Sequence, residues 1–399
     1  MERAARPAVA ARARAGGAVS ARHDVAVVGA GAVGLHLACL LAQRGLDVVV
    51  LERRTAPSAA SRAFGIHPPG LAALDAAGVG DAVRAESTAI TAGAALRGGR
   101  ELARLRFDEA PIRALPQHRT EALLRERLAA LAPGALRTGA RVVALTQRAD
   151  AVGLGIEGSA PVEARWAVGA DGVRSAVRAM LGVRWRLRHG WGAYAMVDVD
   201  EPEGAGARPD AQHGEAHLHL EPGGIVESFP LPGGRRRWVV RLREPEPGIG
   251  LARFQRLLDE RLVDPPRLPA GAEPSAFVAR QHLAERAAVG RVALVGDAAH
   301  EVSPIGGQGM SLGWLDALAL DAALSRALAD ERRGAEALAA YALARGEAAK
   351  RAMRRAAWNM GMGSPAGGTE LAARMLLVRA LALPPGRAAV ARAFTMRGL

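Results

Sequence analysis

The sequence predicts an α/β fold: a parallel strand–helix–strand framework, interrupted by an antiparallel sheet and finished by helices. Three observations predict it. Val25–Val28, Leu35–Arg44 and Val48–Leu51 alternate as buried strand, helix and buried strand. Two later segments, 164–181 and 292–328, repeat the passage from apolar strand through a Gly-rich turn into a helix. Between them, residues 190–243 change texture to short alternating runs divided by Glu221-Pro222-Gly223-Gly224 and Pro232-Gly233-Gly234, the pattern of hairpins.

The first unit carries chemistry. Gly29, Gly31 and Gly34 form a G-x-G-x-x-G array between strand and helix, and Glu52 ends the second strand. Gly29 allows a tight turn, Gly31 a close approach to a pyrophosphate, and Gly34 close packing of helix on strand. The helix start offers free N–H groups and a partial positive charge. Glu52 stands where a carboxylate can accept hydrogen bonds from the ribose hydroxyls of an adenosine. Together these read as a Rossmann-like dinucleotide site. Gly153, Gly155 and Gly158 spell the same array, but no helix follows and alternation with Pro161 predicts a hairpin.

Along the chain, a helix is expected from about Pro69 to Ala77, short strands over 88–108, and an amphipathic helix over Gln117–Leu131. Residues 141–168 read as three antiparallel strands. Residues 249–263 look helical, and the chain from about 335 is Ala/Leu/Arg-rich helix broken at 361–368. The expected domains are a disordered tail (1–22), the dinucleotide-binding framework (23–75, 109–185 and 280–330), an inserted substrate sheet (76–108 and 186–279) and a helical C-terminal region (331–399). Those last helices read as a core or dimer interface, and the chain as a monomer or homodimer.

Composition excludes several classes. The net charge is +13, yet every basic residue but Lys350 is Arg, spread along the chain without aromatic interleaving, so a nucleic-acid face is not expected. No apolar stretch is long and charge-free enough for an integral membrane segment. The single Cys39 leaves no disulfide within the chain and no Cys-based zinc site, and a cytoplasmic setting fits. Residues 1–22 lack the apolar middle of a secretory signal.

Three motifs in this order resemble the para-hydroxybenzoate hydroxylase-like, FAD-dependent aromatic monooxygenases (class A flavoprotein monooxygenases), over roughly residues 24–330. They are GAGAVG with Glu52, GADGVRS at 169–175, and GDAAH at 296–300 followed by PIGGQGM at 304–310. The resemblance implies a glutathione-reductase-type FAD-binding domain with an inserted substrate sheet. It implies cofactor contacts at Gly29, Gly31, Gly34, Glu52, Arg53, Arg62, Gln117, Asp171, Gly172, Gly296, Asp297, Pro304, Gly306, Gly307, Gln308, Gly309 and Met310. Asp297 would hold a ribityl hydroxyl. Pro304 would wall the isoalloxazine. The N–H groups around Gly306 and Gly307 would stabilise negative charge at its N1–C2=O edge, which makes these three the expected catalytic residues. NADH or NADPH would reduce FAD, and O2 would be carried as a flavin C4a-hydroperoxide to an aromatic or polyketide-like small molecule, hydroxylated or epoxidised in secondary metabolism.

On the substrate side, His217 and His219 share one strand face, and Ser228, Trp238 and Arg241 lie on neighbouring strands. With the strand phase open, all five are candidates for the substrate cavity. No third ligand accompanies the two histidines, so no metal is expected. His300 reads as a structural hydrogen-bonding residue. The alternatives are an FAD-dependent reductase or dehydrogenase of an isoprenoid or quinone substrate, a flavin-dependent halogenase, or a flavin-binding sensor. The halogenases' Trp-x-Trp-x-Ile-Pro segment is absent from this sequence.

Overall fold

A computed structural model describes residues 22–57, 63–107, 109–201, 214–384 and 386–396. The expected strand–helix–strand unit is His23–Val28, Ala32–Gln43 and Val48–Glu52. His23–Val28 pairs in parallel with Val48–Glu52 on one side and Val162–Gly169 on the other. Val162–Gly169 in turn pairs in parallel with Val292–Leu294. The three sequence motifs therefore leave the same, carboxyl edge of one sheet, where an open α/β sheet collects its ligands.

Each face of this sheet is covered. Val25, Val27, Val48 and Val50 pack with the Ala32–Gln43 helix and the long Gln308–Ala329 helix. The alternate residues, Ala26, Val28, Val49 and Leu51, pack with Val152, Leu154 and Val162 of the antiparallel strands that follow. Gly153 and Gly155 lie in the strand Val152–Ile156 and Gly158 in the turn after it, so the second glycine array is a hairpin. Cys39 is fully buried in the first core. The helix Gly80–Glu86, which the sequence reading groups with the inserted sheet, contributes Val83 to this same core.

The inserted sheet has seven strands, ordered Ser275–Ala279, Gly192–Asp200, Arg235–Leu242, Val226–Leu231, Glu215–His219, Ala92–Arg97 and Arg100–Arg106. The two segments separated in sequence join through the parallel pair Glu215–His219 and Ala92–Arg97. One face is closed by the helix Leu251–Asp259, whose Phe254, Leu257 and Leu258 meet Val226, Val240 and Leu242. The other face looks toward the framework. The C-terminal region is helical over Glu331–Met362, Gly368–Leu381 and Gly386–Phe394. Ala348, Ala352 and Met353 of the first of these pack against Leu312. No described helix is long and apolar enough to cross a membrane.

Candidate active site

The first glycine turn separates packing from binding. A β-carbon on Gly34 would stand 2.1 Å from the Gly29 carbonyl oxygen, and one on Gly29 would stand 2.5 Å from that of Ala170. These two glycines let strand, turn and helix close on one another. At Gly31 the nearest atom to a β-carbon would be Glu121 Oε1, 3.9 Å away, so the space above the helix start is open. Gly31 is the N-cap and no side chain caps the helix, which leaves its first N–H groups free for an anion.

Glu52 is buried beside this turn. Its Oε2 accepts from the Ala30 backbone N–H at 2.8 Å, and Oε1 accepts from the Arg54 backbone N–H at 2.9 Å and Arg54 Nε at 3.0 Å. Burial alone would raise its pKa, but the hydrogen bonds from Arg54 and Ala30 outweigh this and hold it below the ordinary carboxylate range. Oε2, with one donor, keeps lone-pair capacity for another. The arginine that orders Glu52 is thus Arg54, while Arg53, the residue named from sequence, points to solvent. Arg62 lies outside the described residues. Gln117 begins the Gln117–Leu131 helix and donates to Glu121 Oε1 at 2.8 Å, which brings Glu121, missed by the sequence reading, to the mouth above Gly31.

In the second motif Asp171 acts within the chain. Its Oδ2 accepts from the backbone N–H groups of Ala176 and Val177 at 2.7 and 3.1 Å, capping the helix Ala176–Met180, while Oδ1 is buried without a partner. Gly172 has φ +78° and nothing near its missing side chain. Arg178 ties this motif to the third, donating from its two terminal nitrogens to the carbonyls of Ala298 (3.0 Å) and Val173 (2.7 Å).

In the third motif Gly296 makes the sharp exit from the strand at φ +59°, and the Asp297 side chain is exposed. His300, the expected structural residue, is buried, with Nε2 against Asp316 Oδ2, while Arg345 Nε donates to Asp316 Oδ1 at 2.6 Å. This network fastens the motif to the long helix. Gly306 and Gly307 then take left-handed conformations, φ +93° and +67°, and Gly307 is the uncapped N-cap of Gln308–Ala329. Gln308, Gly309 and Met310 form its first turn, and the buried Gln308 Oε1 has no partner. Pro304 and Ile305 lead into this turn and line the adjoining cavity. Val33, in the first helix, lies against both Gly296 and Gly313, so the two helix starts are neighbours.

A cavity of about 230 Å³ lies between Pro304–Gly307, the inner face of the seven-stranded sheet and the C-terminal helices. Register fixes which strand residues face it. Leu218, Glu227, Val239 and Met196 lie opposite one another across four strands, and all four line the cavity. The adjacent row, His217, Ser228, Trp238 and Val197, faces away, with Trp238 and Val197 in the core under the Leu251–Asp259 helix. His219 is in phase with His217 and also misses the cavity. Arg241 shares the phase of Arg237 and Val239 but sits beyond the cavity, 4.9 Å over Tyr194 and 5.9 Å over Trp191. None of the five substrate candidates therefore lines it. A one-residue change of phase exchanges the faces of a strand; only Glu215–His219, with Ala216 and Leu218 on one face and its polar residues on the other, carries a signal for it.

The cavity is mostly aromatic and aliphatic, with His67, Glu227, Arg237 and Asn359 as its polar side chains of note. His67 donates from Nε2 to the Gly306 carbonyl at 3.0 Å, and burial pushes its pKa down to about 4, so the ring is neutral. Arg237 is paired with both oxygens of Asp198 at 2.6 and 2.8 Å. Among the described residues no cluster suits a metal ion, and His217 and His219 do not make one.

These residues fit an extended flavin dinucleotide. Two uncapped helix starts, open space over Gly31, an exposed Asp297 and the unpartnered Gln308 Oε1 await polar contacts that the chain does not itself supply. Comparison with known proteins agrees. The family described as "FAD binding domain" matches residues 22–356. A 12-dehydrotetracycline 5-monooxygenase/anhydrotetracycline 6-monooxygenase from Streptomyces rimosus is 34% identical over 318 residues, covering 75% of this chain and 62% of that protein. The ubiquinone hydroxylase UbiL of Rhodospirillum rubrum is 33% identical over 344 residues, covering 82% and 77%. In solved structures, the p-nitrophenol 4-monooxygenase PnpA of Pseudomonas putida DLL-E4 superposes with a TM-score of 0.81 at 25% identity, covering 94% of this chain and 97% of that one. This chain spans only about three fifths of the length of the Streptomyces rimosus relative. Motifs, sheet order and the match over most of the chain converge: the chain belongs to the FAD-dependent aromatic monooxygenase family.

Proposed function

We propose that the protein is an NAD(P)H-consuming FAD monooxygenase that inserts one atom of O2 into an aromatic or polyketide-like small molecule. The observation that carries the reading is the apolar cavity walled by Pro304–Gly307, directly at the uncapped start of the long helix. It puts a water-poor chamber beside a set of N–H groups suited to a flavin edge. Bound FAD supplies the redox and oxygen-activating chemistry.

The chain's own residues do the rest. The N–H groups at the Gly31 helix start receive the pyrophosphate, and Glu52 accepts from the ribose. Asp297 accepts from the ribityl chain. With the Gly307 N–H given to the Pro304 carbonyl, the N–H groups of Gln308 and Gly309 would stabilise negative charge on the ring edge, and Pro304 would wall the ring. The inner face of the sheet keeps water out and confines the substrate ring beside the Pro304–Gly307 wall. Names among the relatives, including a rifampicin monooxygenase of Streptomyces venezuelae 32% identical over 312 residues, support a fused or polyketide-like substrate.

Incubation of the FAD-loaded protein with NADH or NADPH, 18O2 and a panel of phenols, quinones and polyketides tests this. The reading expects one labelled oxygen in an organic product. NAD(P)H oxidation that yields only hydrogen peroxide with every compound, or no oxidation at all, would overturn it.

A further inference from the structure

We propose that Glu227 is the group that selects the substrate, by accepting a hydrogen bond from a hydroxyl on the aromatic ring. The inference rests on the reading of the cavity as the substrate chamber and adds the chemistry that chamber recognises.

Glu227 lies on the inner row of the sheet, between Leu218 and Val239, and lines the cavity. It is 5% exposed. Among the described residues its carboxyl group has no hydrogen-bond or salt-bridge partner. The other charged group of the chamber, Arg237, is already neutralised by Asp198. An isolated carboxyl in an apolar chamber is costly to the fold, and such a group is retained where a ligand completes it. Burial pushes its pKa up to about 7, so near neutral pH a hydroxyl that supplies a hydrogen bond favours the ionised, accepting form.

The geometry also explains why hydroxyl recognition would serve the reaction. A hydrogen bond from ring O–H to a carboxylate draws the proton away from oxygen and raises electron density on the ring carbons. An electron-rich ring reacts faster with an electrophilic oxygen. The same bond fixes one end of the ring on the sheet, opposite the Pro304–Gly307 wall.

The test compares 2-naphthol with 2-methoxynaphthalene, whose oxygen has no proton to donate, by equilibrium dialysis against the FAD-loaded protein. Wild type should bind the naphthol more tightly by roughly tenfold or more. Glu227→Leu should abolish that preference while leaving affinity for the methyl ether within about twofold, and Glu227→Gln, which keeps an acceptor of the same shape, should fall between. Flavin content and melting temperature establish that both variants fold. An undiminished preference in both variants, or no preference in wild type, overturns the assignment. A Glu227-dependent preference in a protein that incorporates no 18O would keep the recognition role and remove only the monooxygenase reading.

Discussion

Glu52 and Ala30 are joined by a 2.8 Å hydrogen bond from the Ala30 backbone N–H to Oε2, which ties the end of the second strand to the turn that opens the first helix. The carboxylate thereby fixes the turn, and Oε2 keeps a lone pair facing it. Glu52→Gln keeps a side-chain acceptor for Ala30 but loses the ion pair with Arg54. We expect destabilisation of about 1–2 kcal/mol and FAD affinity lowered by about tenfold or more. Thermal melts and titration of flavin fluorescence check both numbers.

Gly31 and Gly34 should separate binding from folding. At Gly34 a methyl group would meet backbone at 2.1 Å, so Gly34→Ala should fail to fold or lose about 3 kcal/mol or more. At Gly31 the same methyl group meets nothing closer than 3.9 Å and the backbone is extended, φ −80°. Gly31→Ala should leave the melting temperature of the FAD-free protein almost unchanged and weaken FAD binding by obstructing the pyrophosphate. Equal losses of stability in the two variants would contradict the assignment.

The His300–Asp316–Arg345 network holds the third motif on the long helix. Asp316 is 1% exposed, and removing its charge strands Arg345 and His300 in the protein interior. Asp316→Asn should cost about 3–5 kcal/mol and lower FAD affinity as the 296–305 segment loosens. Denaturant unfolding with and without FAD measures the two effects.

Acid should weaken the fold through His36. Its ring is fully buried, Nε2 donates to the Ala73 carbonyl at 2.7 Å, and burial pushes its pKa from 6.5 down to about 4. Between those values the unfolded chain binds the proton and the folded one does not, so stability falls as pH drops from 6.5 toward 4. His36 alone contributes up to about 3 kcal/mol of that loss. His67 acts in the same direction. His36→Gln should retain a donor to Ala73 and flatten the decline, measured as unfolding free energy against pH.

The framework was legible because its constraints are local. Gly29, Gly31, Gly34 and Glu52 stand at fixed spacings in one unit, and the hairpin reading of Gly153–Gly158 follows from Pro161 and alternation. The helix Gln117–Leu131 is read at its observed ends because its leucines share one face. The side-chain partners were less legible. Arg54, not Arg53, orders Glu52, because only the fold decides which of two adjacent arginines turns inward. The cavity residues escaped for a similar reason. Both phases of Val226–Leu231 and Arg235–Leu242 carry mixed polar and apolar residues, only Glu215–His219 separates them cleanly, and the helix that covers one face lies farther along the chain. Asn359 and Phe394 reach the chamber from helices whose Ala/Arg-rich sequence announces only amphipathic packing.

A crystal structure of the FAD-loaded protein is the decisive measurement. The adenosine should lie at Glu52, the pyrophosphate over Gly31, and the isoalloxazine edge within hydrogen-bonding distance of the N–H groups of Gln308 and Gly309, with its face open to the chamber that contains Glu227. An isoalloxazine placed away from Pro304–Gly307, or walled off from that chamber, would contradict the assignment.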